Sequence, residues 1–183
     1  NNRVLSTFLI LILLSYTLPR YKTYLPTIPL YPDSRKESFE VIEAMGKRTM
    51  EERTLFDLTD PSISHAFAKY VDESVEELDR IITRPSVIYP IYCFKYLLNR
   101  PRPFQVNPSI EPFQSQTAHT PAFPSGHSYQ AHYLAKVLSK KYPEKQAFLD
   151  ELAYKCSYAR IVAGLHYPSD NAFSKILVDT FYR

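Results

Sequence analysis

An all-α fold, a single helical bundle preceded by one N-terminal hydrophobic segment, is predicted by three features of the sequence. Apolar residues recur at helical spacing in most segments between prolines, and alternation of period two is nowhere sustained. With 3 glycines against 15 prolines and no closely spaced strand and turn signals, the chain argues against an all-β fold and against glycine-rich nucleotide loops. Its 183 residues, 45% hydrophobic and 22% charged, suffice for one compact core, which excludes a disordered chain. A formal net charge of +3 gives no reason to expect a nucleic-acid partner. Cys93 and Cys156 are too few and too isolated for a zinc site or a disulfide framework; they read as buried free thiols, with a single disulfide left open.

The first element is the apolar run from Val4 to Leu18. It is shorter than the roughly 20 residues of a bilayer span and matches the apolar part of a signal sequence, so residues 1–18 are read as a hydrophobic anchor or signal segment, with a buried core helix as the alternative. Arg3 before it and Arg20 and Lys22 after it leave its orientation open, while Tyr16, Tyr21 and Tyr24 suit a headgroup level. Residues 19–32 form a linker that Pro19, Pro26, Pro29 and Pro32 keep from being helical for long. The domain proper is residues 33–183. Ser34 with Glu37 predicts a capping box opening a helix toward Gly46. Asp60 followed by Pro61 predicts a second helix start, carrying Ile63, Phe67 and Tyr70. A third, acidic helix is expected from about Asp72 to Thr83, with Val75, Leu78, Ile81 and Ile82 as its apolar side.

The fourth helix, Ser86 to Asn99, is apolar or aromatic on every face, which predicts burial on all sides; Lys95 is its one charge. Lys95 needs a partner unless it snorkels to the surface. Pro101 stops the helix by Arg100 and puts Arg102 and Pro103 on the loop that leaves it. From Phe104 to Pro124 the chain has four further prolines and little periodicity, and a loop this long in a compact domain is expected to rim a site. Phe123 to His132, FPSGHSYQAH, then opens a helix at Ser125 whose core face is Ala131, Leu134, Ala135 and Leu138. The next helix, from about Glu144, carries Leu149, Leu152, Ala153 and Cys156, and then Arg160 where a core residue is expected. Gly164 is expected as its left-handed cap, and Pro168 begins the last helix through Phe173, Ile176 and Leu177.

Lys95, Arg102 and Arg160 thus lie on or beside apolar faces with no acidic partner close in sequence. Buried cations without counter-charges are costly, whereas three around a bound phosphate compensate one another through it. The helix at Ser125 adds free backbone N–H groups, the positive end of a dipole and, at Gly126, room for close approach. His166 and Asp170, four apart, allow the carboxylate to accept from Nδ1 and leave Nε2 as a nucleophile, although a purely structural hydrogen bond is the commoner use of such a pair. His119 is placed on the rim, His65 and His132 at the surface or in packing, and the five-residue step from His127 to His132 is wrong for a helical metal pair.

Read in order, these residues are K-x6-R-P (Lys95, Arg102, Pro103), P-S-G-H (Pro124 to His127) and R-x5-H-x3-D (Arg160, His166, Asp170). The pattern resembles the three-part signature of the type-2 phosphatidic acid phosphatase superfamily, which includes lipid phosphate phosphatases, bacterial class A non-specific acid phosphatases and vanadium-dependent haloperoxidases. The resemblance covers Lys95 to Asp170, and the N-terminal half only by a compatible helical pattern. It implies a helical phosphatase domain of the acid phosphatase and vanadium haloperoxidase type, and metal-independent phosphomonoester hydrolysis through a phosphohistidine. His166 would be the nucleophile, Asp170 its orienting carboxylate, and His127 the acid and then the base. Lys95, Arg102, Arg160, Ser125 and Gly126 would hold the phosphate oxygens, with no cofactor, no metal, and phosphate or vanadate as occupants of the site. A bell-shaped rate profile with an acidic to neutral optimum is expected.

Arg100, followed by its own proline, competes with Arg102 as a phosphate ligand, but the family spacing selects Arg102. One position departs from the family pattern: Ala159 stands where a serine usually precedes the arginine, and Ser157 is two places earlier on another side of the helix. The missing hydroxyl bears on phosphate contact and substrate preference. The expected partner is a phosphorylated small molecule or a lipid phosphate, with the soluble acid phosphatases as the nearer likeness and a membrane-anchored or exported location. Membrane association through residues 4–18, an oligomer, a pyrophosphate substrate, a haloperoxidase, and an inactive tethered scaffold of the same fold are the alternatives.

Overall fold

The computed structural model describes residues 31–182, so Val4–Leu18 and most of the linker lie outside the described residues. Every element within that span is helical. Helix α1, Ser34–Gly46, is capped by Asp33, whose carboxylate accepts from the Lys36 N–H at 2.9 Å. The cap expected at Ser34 is therefore one residue early in the chain, and Glu37 turns inward, buried, instead of closing a capping box. Helix α2, Met50–Thr59, has no counterpart in the sequence prediction; Thr49 and Glu52 form a reciprocal capping box at its start. Asp60 consequently ends a helix and does not begin one. Beyond it, α3 is a single turn at Ser64–Phe67, and α4, Val75–Ile82, opens with a second capping box from Ser74 and Glu77.

Helix α5, Pro85–Leu98, buries Val87, Ile91, Lys95, Tyr96 and Leu98, but Tyr89 is 63% exposed and Cys93 and Leu97 are exposed as well. Burial on all sides is thus corrected: within the described residues, the bundle covers one side of this helix. Cys93 is likewise an exposed thiol, while Cys156 is buried, and both are free. The chain leaves α5 through Asn99, which is left-handed at φ 47°. A short helix α6, Pro103–Val106, occupies the start of what reads as loop in the sequence.

The centre of the molecule is the hairpin of α7, Gly126–Lys141, and α8, Gln146–Val162, joined by a 3-10 turn at Pro143–Lys145. Together with α9, Pro168–Phe181, they bury Tyr129, Leu134, Leu138, Leu149, Cys156, Leu177 and Val178 against Phe67, Leu78, Ile82 and Ile91 from the earlier helices. Each such side chain contributes about 1.5–3 kcal/mol when removed from water, so this core fixes where α7, α8 and α9 begin and end. Gly164 adopts φ 74° after α8, as expected of a left-handed cap. A Cβ there would lie 3.0 Å from Ile110 and 3.3 Å from Met45, so the turn is closed to other residues on both counts. That turn sends the chain back on itself, and the N–H groups of Leu165 and His166 both donate to the Arg160 carbonyl.

Candidate active site

A cavity of about 420 Å³ opens where the last turn of α5, the start of α7 and the end of α8 meet. Lys95, Arg102, Gly126, His127, Arg160 and His166 all line it, so six of the eight residues singled out in the sequence converge on one space. The other two, Ser125 and Asp170, are fully buried behind it. Ser125 caps α7, its Oγ accepting from the Ser128 N–H at 3.3 Å, and Asp170 sits in the first turn of α9. Ile82, Ile88, Ile91 and Tyr92 form an apolar wall, and Gln116, Thr117, His119 and Thr120 place the loop after α6 on the rim.

Each cation is held by a different device. Lys95 is 4% exposed, donates to the Pro121 carbonyl, and lies within ion-pair distance of no carboxylate among the described residues. Burial, and then the nearby Arg102, hold its pKa well below the usual lysine range. Arg102 donates to the Thr120 and Leu165 carbonyls, each at 2.9 Å. Arg160 pairs with Asp60 at 2.8 Å, and its Nη2 reaches the hydroxyls of Ser115 and Thr117 at 3.4 Å each. Its Nε is buried without an acceptor among the described residues. Asp60 also accepts from Ser115 Oγ at 2.6 Å and from the Gln116 N–H at 2.9 Å, tying the rim loop to the arginine. Burial pulls the Asp60 carboxyl upward, but hydrogen bonds from Ser115 and Arg160 outweigh it and leave the pKa below the usual carboxylate value.

The hydrogen bonds also fix the imidazoles of His166 and His127. Arg102 Nη1 lies 3.0 Å from His166 Nε2, and a guanidinium can only donate, so the Nε2 lone pair accepts from Arg102 and the proton is on Nδ1. Nδ1 in turn donates to Asp170 Oδ2 at 3.0 Å. Asp170 Oδ2 accepts from the Tyr167 N–H at 2.9 Å and Oδ1 from Arg100 at 2.6 Å, donors that call for the carboxylate. Burial, then Arg102 and Lys95, push the His166 pKa well below its ordinary value. His127 Nε2 sits 3.1 Å from the Asp60 carbonyl, which can only accept, so the neutral ring keeps its proton there. Burial, followed by Arg160, pushes the His127 pKa down to about 3.

Three residues with direct bearing on the site carry different roles from those read in the sequence. Asp60, taken as a helix start, is the counter-ion of Arg160. Glu37, taken as a cap, pairs with Arg100 at 2.6 Å. Arg100, weighed in the sequence against Arg102, is fully buried outside the cavity lining, between Glu37 and Asp170. A Cβ at Gly126 would meet only Ile91 and Lys95, at 3.6 and 3.9 Å, so its bare backbone leaves space in the cavity that no packing constraint demands. Ala159 faces Phe56, Ala163 and Leu165, while Ser157 bonds the Ala153 carbonyl at 2.7 Å and lines a separate, larger groove of about 890 Å³ with His132 and Asn171. Ser157 therefore does not replace the missing serine hydroxyl.

No curated protein sequence matches the chain. A family model does, that of the PAP2 superfamily, over residues 82–177, a span that runs from the end of α4 into α9 and contains every residue lining the cavity from α5 onward. The match covers more than half of the chain, and the chain belongs to the PAP2 superfamily.

Proposed function

We propose that the chain hydrolyses phosphomonoesters by transferring the phosphoryl group to His166 and then to water. PAP2 superfamily members are phosphatases in general, which supports a phosphoester hydrolase at the coarse level. The observation that carries the finer reading is the convergence of Lys95, Arg102 and Arg160 on the cavity that His166 lines, with Arg102 against His166 Nε2 and Arg160 Nε left as a buried donor in need of an acceptor. A phosphate dianion supplies that acceptor, and its charge is shared by the three cations, of which Arg160 already has Asp60 as counter-ion. It also supplies the reason for Arg102 to leave His166: Nη1 moves to a phosphate oxygen and uncovers the nucleophile's lone pair.

In the first step the Nε2 lone pair forms the bond to phosphorus as the bond to the leaving oxygen breaks. Asp170 holds Nδ1–H and stabilises the imidazolium that results. His127, protonated in the complex, gives a proton to the leaving oxygen from Nδ1, since Nε2–H stays on the Asp60 carbonyl. In the second step neutral His127 takes a proton from water, the water oxygen bonds to phosphorus, and the P–N bond breaks to return the lone pair to His166. Lys95, Arg102, Arg160 and the α7 N–H groups at Gly126 hold the remaining oxygens, and Ser125 joins them by turning its hydroxyl from the Ser128 N–H. The apolar wall of Ile82, Ile88 and Ile91 suits an aryl or alkyl leaving group.

The test is hydrolysis of an aryl phosphate by the full chain in excess chelator, beside His166→Ala, with acid-labile protein phosphate trapped by rapid quench. Chelator-resistant turnover and trapped phosphate that both vanish in the variant are expected. Turnover that survives the substitution would remove His166 from the mechanism.

A further inference from the structure

Behind the cavity, four side chains form one buried series: Glu37, Arg100, Asp170 and His166. Arg100 Nη2 donates to Glu37 Oε2 at 2.6 Å, its Nη1 to Asp170 Oδ1 at 2.6 Å, and Asp170 Oδ2 accepts from His166 Nδ1 at 3.0 Å. We propose that Glu37 and Arg100 are positioning residues for the nucleophile, holding Asp170 as a carboxylate and His166 in its Nδ1–H tautomer. The inference rests on the reading of His166 as nucleophile, and it concerns residues that touch neither the cavity nor the substrate.

The geometry carries it in three ways. First, Arg100 is the fork that only an arginine provides: Nη1 also donates to Ser169 Oγ at 2.7 Å, Nε to Ser34 Oγ at 3.1 Å, and its carbon centre lies 3.8 Å from the Tyr167 ring. Orientation in this fork is fixed from α1, from α9 and from the residue before α9 at once. Second, Glu37 is attached to the same turn from the other side, its Oε1 accepting from the Ser169 N–H at 2.7 Å and its Oε2 from Ser169 Oγ at 2.7 Å. Two N–H groups at the α9 start, those of Tyr167 and Ser169, thus end on carboxylates that Arg100 joins. Third, Arg100 is 0% exposed and Glu37 4%, and a buried ion pair of this kind is a poor route to stability alone, because apolar residues of similar volume serve that purpose as well or better. What apolar residues cannot do is set the charge of Asp170.

The groups that face Asp170 are Arg100 from the segment after α5, Lys95 from α5, the Tyr167 N–H and His166 from the segment before α9, and Glu37 from α1. Burial raises the Asp170 pKa, and Arg100 is the strongest influence against it. Burial already prevails with Arg100 in place, and removing Arg100 raises the pKa further, so Asp170 takes up a proton at higher pH. A protonated Asp170 no longer requires Nδ1–H as its donor, and the His166 proton redistributes between the two nitrogens.

The decisive experiment is nitrogen NMR of the full chain labelled at histidine, for the wild type, Arg100→Met, Arg100→Lys and Glu37→Gln, with kcat, KM and vanadate affinity measured on the same samples. In the wild type, His166 is expected neutral and protonated at Nδ1 from pH 5 to 8. Arg100→Met should give a tautomer mixture and a kcat about 10–100-fold lower, with vanadate affinity within about threefold. Arg100→Lys should recover part of the loss, since it keeps the charge and gives up the fork. Glu37→Gln, nearly isosteric, should move both readouts the same way by less, and it carries the test if Arg100→Met fails to fold. An unchanged tautomer with unchanged kcat per folded molecule, whatever the thermal stability, would overturn the proposal. Failure of the nucleophile reading looks different: turnover persists in His166→Ala, while the tautomer comparison still decides what Arg100 controls.

Discussion

His127 and His166 each stand beside a carboxylate residue and an arginine, and the two sets are wired in opposite senses. On the α9 side the carboxylate of Asp170 touches His166 itself, and its arginine, Arg100, faces away from the cavity. On the α7 side the carboxylate of Asp60 holds Arg160, which lines the cavity, and His127 reaches only the Asp60 backbone carbonyl. The same residue types therefore do different work. One carboxylate fixes the tautomer of its ring, with the proton on Nδ1. The other holds a cation at the cavity and leaves its histidine to answer to whatever charge enters there.

Asp60→Asn breaks the second arrangement and should have the largest effect on the folded protein. The side chain keeps its shape, but Arg160 loses its counter-charge in a buried setting, which costs about 3–5 kcal/mol. For a chain of this length that is a fall in Tm on the order of 10 °C. Millimolar phosphate should restore part of it, because the anion takes over the missing charge. A Tm within a degree of wild type in calorimetry would mean that Asp60 is not the support of Arg160 that its geometry indicates.

The next effect sharpens the contrast between the histidines. Burial and Arg160 hold the His127 pKa at about 3. A bound dianion opposes Arg160 and raises it, so between the free and bound values binding must take up a proton, and affinity must fall as pH rises through the bound value. Sulfate is the clean probe, since it does not itself titrate in this range. Calorimetry at pH 6 in two buffers of different ionisation heat should show close to one proton taken up by the wild type and none by His127→Gln. Within the window, affinity should change by up to about tenfold per pH unit. Equal uptake by both proteins would assign the proton elsewhere.

This contrast was only half legible in the sequence. Lys95, His127, Arg160 and His166 could be found because each breaks an apolar pattern or sits beside a helix start, signals that are local, whereas Arg102, on a loop, was chosen over Arg100 by the family spacing. Asp170 was legible too, from its four-residue step to His166, but Asp60 and Glu37 were not, because Glu37 and Arg100 are 63 residues apart and Asp60 and Arg160 are 100 apart, and no spacing rule reaches that far. Local rules also misled in an instructive way. Ser34, Thr49 and Ser74 are each followed three residues later by glutamate, and two of the three are capping boxes. The third fails because Asp33 supplies a cap one residue earlier, which releases Glu37 to pair inside. The helical character of the chain and the Gly164 cap followed from periodicity and backbone preference alone. The exposed face of α5 did not, because an apolar helix looks the same in sequence whether one side or all sides are covered.

The smallest effect concerns the one departure from the family pattern. Ala159 is fully buried against Phe56, Ala163 and Leu165, and the hydroxyls beside Arg160 come instead from Ser115 and Thr117 on the rim loop. A serine at 159 would bond back to a carbonyl of its own helix and change stability by no more than about 1 kcal/mol. If the loop supplies what the family serine otherwise would, Ala159→Ser should shift kcat/KM for an aryl phosphate by less than about threefold, a difference under about 1 kcal/mol, while Thr117→Ala should lower it more. A gain of tenfold or more in Ala159→Ser would reverse that order. It would place the site's weakest phosphate contact at the end of α8, and it would leave Ser115 and Thr117 as partners of Asp60 alone.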